Sequence, residues 1–184
     1  MATQPEDQLT GGIVTVTLPF FTDQAVNTVR AGALQADVAI QRIALPLYLG
    51  SAPQKTWRKP VVGPPERPFA EFQLVEALEL QGWIAAWVYR PGKFLAAWEP
   101  RRFAELPDPA RVLHARLEKA TGVRAGSWDV FAWQRDKPLF VELKRTGSSD
   151  RIRASQLLWR QAAIDQGVSE SAFIIVEWSG GCVR

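Results

Sequence analysis

The chain has 184 residues, 47% of them hydrophobic and 22% charged, with a formal net charge of +3. That length and balance suit one domain with a packed core and exclude a largely disordered chain. The single cysteine, Cys182, excludes a disulfide framework or a thiolate metal site within one chain, and the small positive excess neither requires nor forbids a nucleic-acid partner.

The first residues carry no basic-then-apolar leader, and no uncharged apolar run is long enough to span a bilayer. A cytoplasmic protein without membrane contact is expected. Residues 1–10 are polar. Residues 13–18 alternate β-branched side chains and predict a strand that ends at Pro19. Thr22 is placed to cap a helix over 23–34. Residues 38–49 are apolar, are interrupted by Pro46, and fit either a helix or a strand. Residues 50–68 hold Pro53, Pro60, Pro64, Pro65 and Pro68 among basic residues, the composition of a linker or extended arm. A boundary there divides an N-terminal extension, 1–65, to which no chemistry is assigned, from a domain over 66–184.

A helix is predicted over 69–81, with Pro68 ahead of it and Gly82 closing it. Leu74, Val75 and Leu78 form its apolar stripe, and Glu71 lies on the same stripe. An inward carboxylate is costly unless paired or metal-linked, although a helix's first turn favours an acid. Residues 83–89 read as a buried strand, Pro91-Gly92 as a turn, and 94–98 as a strand pairing back. Pro107-Asp108-Pro109 starts a helix over 110–120 that Gly122 stops. His114, the only histidine, is read as a surface residue of that helix. Two strands follow, over 128–133 and 139–144. A helix over 152–166 then ends at Gly167, and a last strand covers 172–178 before Gly180-Gly181.

The chemistry lies in those two strands. Alternate strand residues share a face, so Phe140, Glu142 and Lys144 point one way and Leu139, Val141 and Leu143 the other. With Arg135-Asp136 as a two-residue turn, Asp129 falls opposite Glu142 at a non-hydrogen-bonded position, where side chains approach most closely. Pro138 then faces Trp133, where its missing N–H does no harm. A four-residue loop would shift the pairing by two and keep the same face. Two facing carboxylates are relieved by a divalent cation, by Lys144, or by a raised pKa on one acid. An all-oxygen set with no sulfur or histidine suits Mg²⁺ rather than zinc. An ordinary inter-strand ion pair fits the same residues.

The set Glu71, Asp129, Glu142, Lys144 and Gln156 resembles the PD-(D/E)XK nuclease superfamily, most closely its virus-type replication-repair branch, the VRR-NUC domain. Phe140-Val141-Glu142-Leu143-Lys144, then a Ser/Asp/Arg loop, Gln156 with Trp159 behind it, and Gly167 before a final strand are similar to that branch over residues 66–178. The sequence departs from the family where Trp128 precedes the strand aspartate, a position usually held by proline. The resemblance implies an α/β, restriction-endonuclease-like fold: a mixed sheet flanked by helices, here with an N-terminal extension. It implies Mg²⁺- or Mn²⁺-dependent hydrolysis of DNA phosphodiesters, often at branched structures, by a metal-activated water that leaves 5′-phosphate and 3′-hydroxyl ends. It implies Asp129 and Glu142 as metal ligands, the Leu143 carbonyl as a third, Lys144 as catalytic, Gln156 as supporting and Glu71 as a weaker metal or water contact.

Arg145, Arg151, Arg153 and Arg160 flank this region and suit a phosphate backbone. Arg101 and Arg102 follow the 94–98 strand. Residues 55–59, Lys-Thr-Trp-Arg-Lys, combine charge with an aromatic ring and fit either a DNA grip or a soluble linker. Relatives of single-domain size can pair to cut two strands, which makes a homodimer compatible with the resemblance. The second reading is a catalytically idle domain of this fold that binds nucleic acid or a partner protein.

Overall fold

A computed structural model describes residues 21–44, 69–97, 102–122 and 126–179. The strand expected over 13–18, the arm over 50–68, Arg101, Gly180-Gly181 and Cys182 lie outside these residues. The chain is an α/β protein built on one mixed sheet. Its strands are β1 (Phe21–Ala31), β2 (Leu34–Ala44), β3 (Ile84–Arg90), β4 (Lys93–Ala97), β5 (Arg102–Phe103), β6 (Val130–Gln134), β7 (Lys137–Arg145) and β8 (Phe173–Ser179). The helices are α1 (Phe69–Leu80), α2 (Asp108–Thr121) and α3 (Ala154–Ile164), with one 3₁₀ turn at Glu170–Ala172. The strand order is β1-β2-β8-β7-β6-β3-β4-β5. Strand β8 runs parallel to both β2 and β7, and the other pairings are antiparallel. No helix among the described residues is long and apolar enough to cross a membrane.

The period-two alternation of β7 divides the core between two faces. Leu139, Val141 and Leu143 join Val130, Ala132, Ile174 and Val176 beneath Ala70, Leu74, Val75, Ala77 and Leu78 of α1. Phe131, Phe140, Phe173 and Ile175 on the opposite face meet Leu113 and Leu117 of α2 and Trp159 and Ala163 of α3. Phe131, Phe140 and Phe173 sit in register on three adjacent strands. Their rings stack at centroid distances of 5.0 and 4.9 Å. Cross-strand pairs of this kind fix lateral register.

The helix expected over 23–34 is not formed. That segment is β1 and the start of β2, a hairpin whose two-residue turn is Gly32-Ala33, with Gly32 at φ +63°. Val26, Thr28 and Val29 favour an extended chain, and Gly32 supplies the positive φ that the tight turn needs. The ambiguous stretch after residue 38 continues as strand to Ala44. Val38 and Ile40 enter the α2/α3 face of the core, and Arg42 pairs with Glu177 of β8 at 2.9 Å. The described part of the N-terminal region is thus hydrogen-bonded into the same sheet, not appended to it.

The β6–β7 turn is the two-residue Arg135-Asp136 connection, and both residues have positive φ, 48° and 60°. Type I′ turns require this and favour Asn-Gly, because a Cβ in the left-handed region is strained. Replacing Arg135-Asp136 by Asn-Gly should stabilise the chain by about 1 kcal/mol. The expected reading is a higher urea midpoint at unchanged slope.

Candidate active site

The observed register pairs Val130 with Val141 and Trp133 with Pro138. Continued by one residue, it sets Asp129 across from Glu142. Glu142 lies on the face that Phe140 occupies, while Asp129, in the bend before β6, turns its carboxylate to the edge of β7. Leu143 N–H donates to Asp129 Oδ2 at 2.9 Å. N–H and C=O of one residue point to the same side of a strand, so the Leu143 carbonyl also faces the side where β6 has already ended. Strand β3 closes the other flank, with Val88 N–H donating to the Asp129 carbonyl at 2.8 Å.

Glu142 is 2% exposed. Its Oε1 accepts from Lys144 Nζ at 2.7 Å, while Oε2 is buried without a hydrogen-bond partner. Lys144 Nζ also donates to Asp150 Oδ2 at 3.1 Å. Burial lowers the ammonium's pKa, but the charges and hydrogen bonds of Glu142 and Asp150 outweigh it, and the net shift is upward. Asp129 is pushed well above the ordinary carboxylate range. Burial is the largest cause, followed by the facing charge of Glu142 and, more weakly, Glu71; the Leu143 N–H and Lys144 act in the opposite sense.

Glu71 approaches from α1 on the other face and is half-buried. It acts on Asp129 through its charge. No group of three or more His, Cys, Asp or Glu side chains among the described residues is gathered closely enough to hold a metal ion. The site therefore offers a pair of carboxylates with main-chain oxygen beside them, not a three-acid cluster. The orphaned buried oxygen of Glu142 fits a hard cation, because an unpaired carboxylate oxygen in such a place is costly.

Gln156 is fully buried at the start of α3. Its Oε1 accepts from the Arg153 N–H at 2.9 Å, and its main-chain carbonyl accepts from Trp128 Nε1 at 3.3 Å. Gln156 thus caps α3 and ties it to the residue before Asp129, while Nε2 is left as a buried donor without a partner. Trp128 packs edge-on against Phe173 at 5.1 Å. Gly126 fits beneath α3 because a Cβ there would lie 2.8 Å from the Ser155 carbonyl oxygen.

Arg145, Arg151 and Arg153 are exposed around the β7–α3 connection. Arg160, expected to face phosphate, is instead 5% exposed. Its guanidinium donates to the Asp37 carbonyl and to Glu170, both at 3.1 Å, and lies 5.6 Å from the Phe173 ring centre. It ties α3 to β2 and has no free face for DNA. His114 is likewise not a surface residue: it is 1% exposed, among Phe94, Phe131 and Trp159. Asp150 is the residue that sequence reasoning passed over. Its signal was an acid in the short Ser-rich loop following Lys144.

No family model, curated protein or solved structure matches the chain.

Because the folded-state pKa of Asp129 is raised, its protonated form favours folding. That contribution is complete below the ordinary aspartate range and is lost as pH rises through the folded value. In the metal-free protein, Asp129→Asn should match or exceed the wild type in stability at neutral pH. The gap should close as pH falls below the ordinary aspartate range, and urea titrations across pH measure it. Lys144→Ala leaves Glu142 buried and uncompensated, and should destabilise by about 3 kcal/mol. Adding Glu142→Gln should recover most of that loss in the same titration.

Proposed function

We propose that this chain is a Mg²⁺- or Mn²⁺-dependent nuclease of the restriction-endonuclease-like fold, hydrolysing DNA phosphodiester bonds at branched or other structured sites. The observation that carries the reading is Asp129 set just beyond the β6–β7 pairing, within reach of the Glu142 charge, with a buried, unbonded Glu142 oxygen and Lys144 two residues on. The resemblance of Glu71, Asp129, Glu142, Lys144 and Gln156 to the PD-(D/E)XK pattern supports it.

Asp129, Glu142 Oε2 and the Leu143 carbonyl are the atoms that would hold the cation. A bound divalent ion polarises a phosphoryl oxygen and lowers the pKa of coordinated water. Lys144 is kept charged by Glu142 and Asp150, and can donate to oxygens as charge develops on phosphorus. Trp128 and Gln156 hold the start of β6 against α3, fixing the position of Asp129. Arg145, Arg151 and Arg153 would take neighbouring phosphates, with no base reading required.

The second reading, an idle domain that binds nucleic acid or a protein, is favoured by the engagement of Lys144 with two acids and by the lack of a third ligating side chain among the described residues. Incubation with linear, nicked, flapped and four-way DNA in Mg²⁺ or Mn²⁺ separates the two. The nuclease reading expects cleavage that falls by on the order of 10²-fold or more in Asp129→Asn and in Glu142→Gln, with both variants folded. Binding without cleavage in every metal would establish the idle domain instead.

A further inference from the structure

Lys144 divides one charge between two partners of unequal burial. Its Nζ donates to Glu142 Oε1 at 2.7 Å and to Asp150 Oδ2 at 3.1 Å. The Glu142 side chain is 2% exposed and the Asp150 side chain 59%. The ammonium therefore spans an inner carboxylate and an outer one. Asp150 is presented by a bonded loop. Ser148 N–H donates to the Arg145 carbonyl at 3.1 Å, and Asp150 N–H donates to Ser148 Oγ at 3.3 Å. Arg151 Nη1 donates to the Ser148 and Asp150 carbonyls at 2.9 and 3.2 Å. These bonds hold the main chain and leave the Asp150 carboxylate to Lys144.

Three carboxylates, those of Asp129, Glu142 and Asp150, act on this one ammonium. Glu177, the register neighbour of Lys144 on β8, is paired with Arg42 and does not alter that balance. With all three acids ionised, the group lacks two positive charges, the charge of one divalent ion. The deficit lies at the inner end, where Glu142 Oε2 is buried and unbonded. A second cation beside Glu142 would repel the ammonium, and like charges repel most strongly where water is excluded. The flexible four-carbon stem of lysine lets its head move. Removing one partner of a buried pair is costly because the other charge is left alone. With a cation on Glu142 and Asp150 on Lys144, neither charge is left alone.

We propose that Asp150 is a positioning residue that takes the Lys144 ammonium over from Glu142 when a divalent cation occupies the carboxylate pair. Its place in a reaction rests on the nuclease reading; the exchange itself requires only the cation. In the cation-free protein Lys144 is the counter-ion of Glu142. Held by Asp150 instead, it keeps donor capacity for an incoming oxygen, since an ammonium has three N–H groups. An exposed carboxylate suits this role, because an ion pair near solvent forms and breaks at lower desolvation cost than a buried one. Without Asp150 the ammonium has a single carboxylate partner, and it competes with the cation for Glu142.

The test uses the full chain and, first, no DNA. Mn²⁺ is titrated calorimetrically into the wild type, Asp150→Asn, Asp150→Glu, Lys144→Met and the Lys144→Met/Asp150→Asn double variant. Asp150→Asn removes an exposed charge and keeps the side chain's shape, so the variant should fold, as its melting transition will show. It should weaken Mn²⁺ binding about tenfold, and Asp150→Glu should bind within about threefold of the wild type. In the Lys144→Met background, where no ammonium competes, Asp150→Asn should change the affinity less than about twofold. An equal loss in that background makes Asp150 a direct partner of the cation and overturns the exchange. Unchanged Mn²⁺ affinity in the Asp150→Asn single variant overturns it too, whether or not Lys144→Met folds. On DNA at saturating Mn²⁺, Asp150→Asn should lose about tenfold in kcat with KM unchanged. Mn²⁺ affinity tuned by Asp150 in a protein that cuts no DNA keeps the exchange and removes the nuclease reading. Cutting with wild-type kcat and Mn²⁺ affinity in Asp150→Asn keeps the nuclease reading and removes the exchange. A wild type that binds no Mn²⁺ overturns both.

Discussion

The candidate site depends on a like-charge interaction that an ordinary sheet would avoid: Asp129 held near Glu142 at the open end of the β6–β7 pair. Its position is set by register. A slip of one residue would turn Glu142 and Lys144 into the apolar layer under α1 and bring Leu143 to the α3 side. Several features oppose that slip. The Arg135-Asp136 turn allows one pairing, Pro138 tolerates a non-hydrogen-bonded position, and the Phe131–Phe140–Phe173 row stacks only in this register. The strain of two left-handed non-glycine residues thus sits at one end of the hairpin and the charge conflict at the other.

The conflict is contained by neighbours rather than removed. Leu143 N–H binds one oxygen of Asp129, and the Lys144 ammonium is shared between Glu142 and Asp150. Burial and the facing charge still raise the Asp129 pKa. One buried oxygen of Glu142 has no partner at all. A group of this kind does little for stability, because replacing both members of a buried ion pair by apolar residues is often neutral or favourable. The ammonium that compensates Glu142 in the folded protein is also the one cationic side chain bonded into the carboxylate cluster among the described residues.

Much of this was legible in the sequence because it is local. Strand alternation placed Glu142 with Lys144, and the tight turn placed Asp129 opposite. Proline and glycine marked the ends of α1 and α2. The β1–β2 hairpin was not legible, since Thr22-Asp23 mimics a helix start. The partner that makes β2 a strand is β8, more than a hundred residues away in the chain. His114 was misplaced for a different reason. Ala110, Leu113, His114 and Leu117 are spaced as one helical stripe, and all four are buried. The pattern was present, and the polar identity of one member obscured it. Arg160 is the same case on α3, adjacent to Trp159 and four residues after Gln156.

These misplacements share a side of the sheet. His114, Glu142, Lys144, Gln156 and Arg160 are all buried in the layer between the sheet and α2/α3, whereas among the described residues the only fully buried polar side chain on the α1 side is Gln41 of β2, beside Val176. In the α2/α3 layer, unbonded polar atoms lie on His114, Glu142, Gln156, Trp159 and Arg160. Folding alone gives no reason for that asymmetry, since apolar residues of similar volume would pack there at lower cost. The α1 face is covered mainly by apolar side chains, and that surplus permits a costlier opposite face. Among those unbonded atoms the Glu142 oxygen is the one with a second carboxylate, Asp129, close by, so a single cation there would relieve both its missing bond and the like-charge conflict.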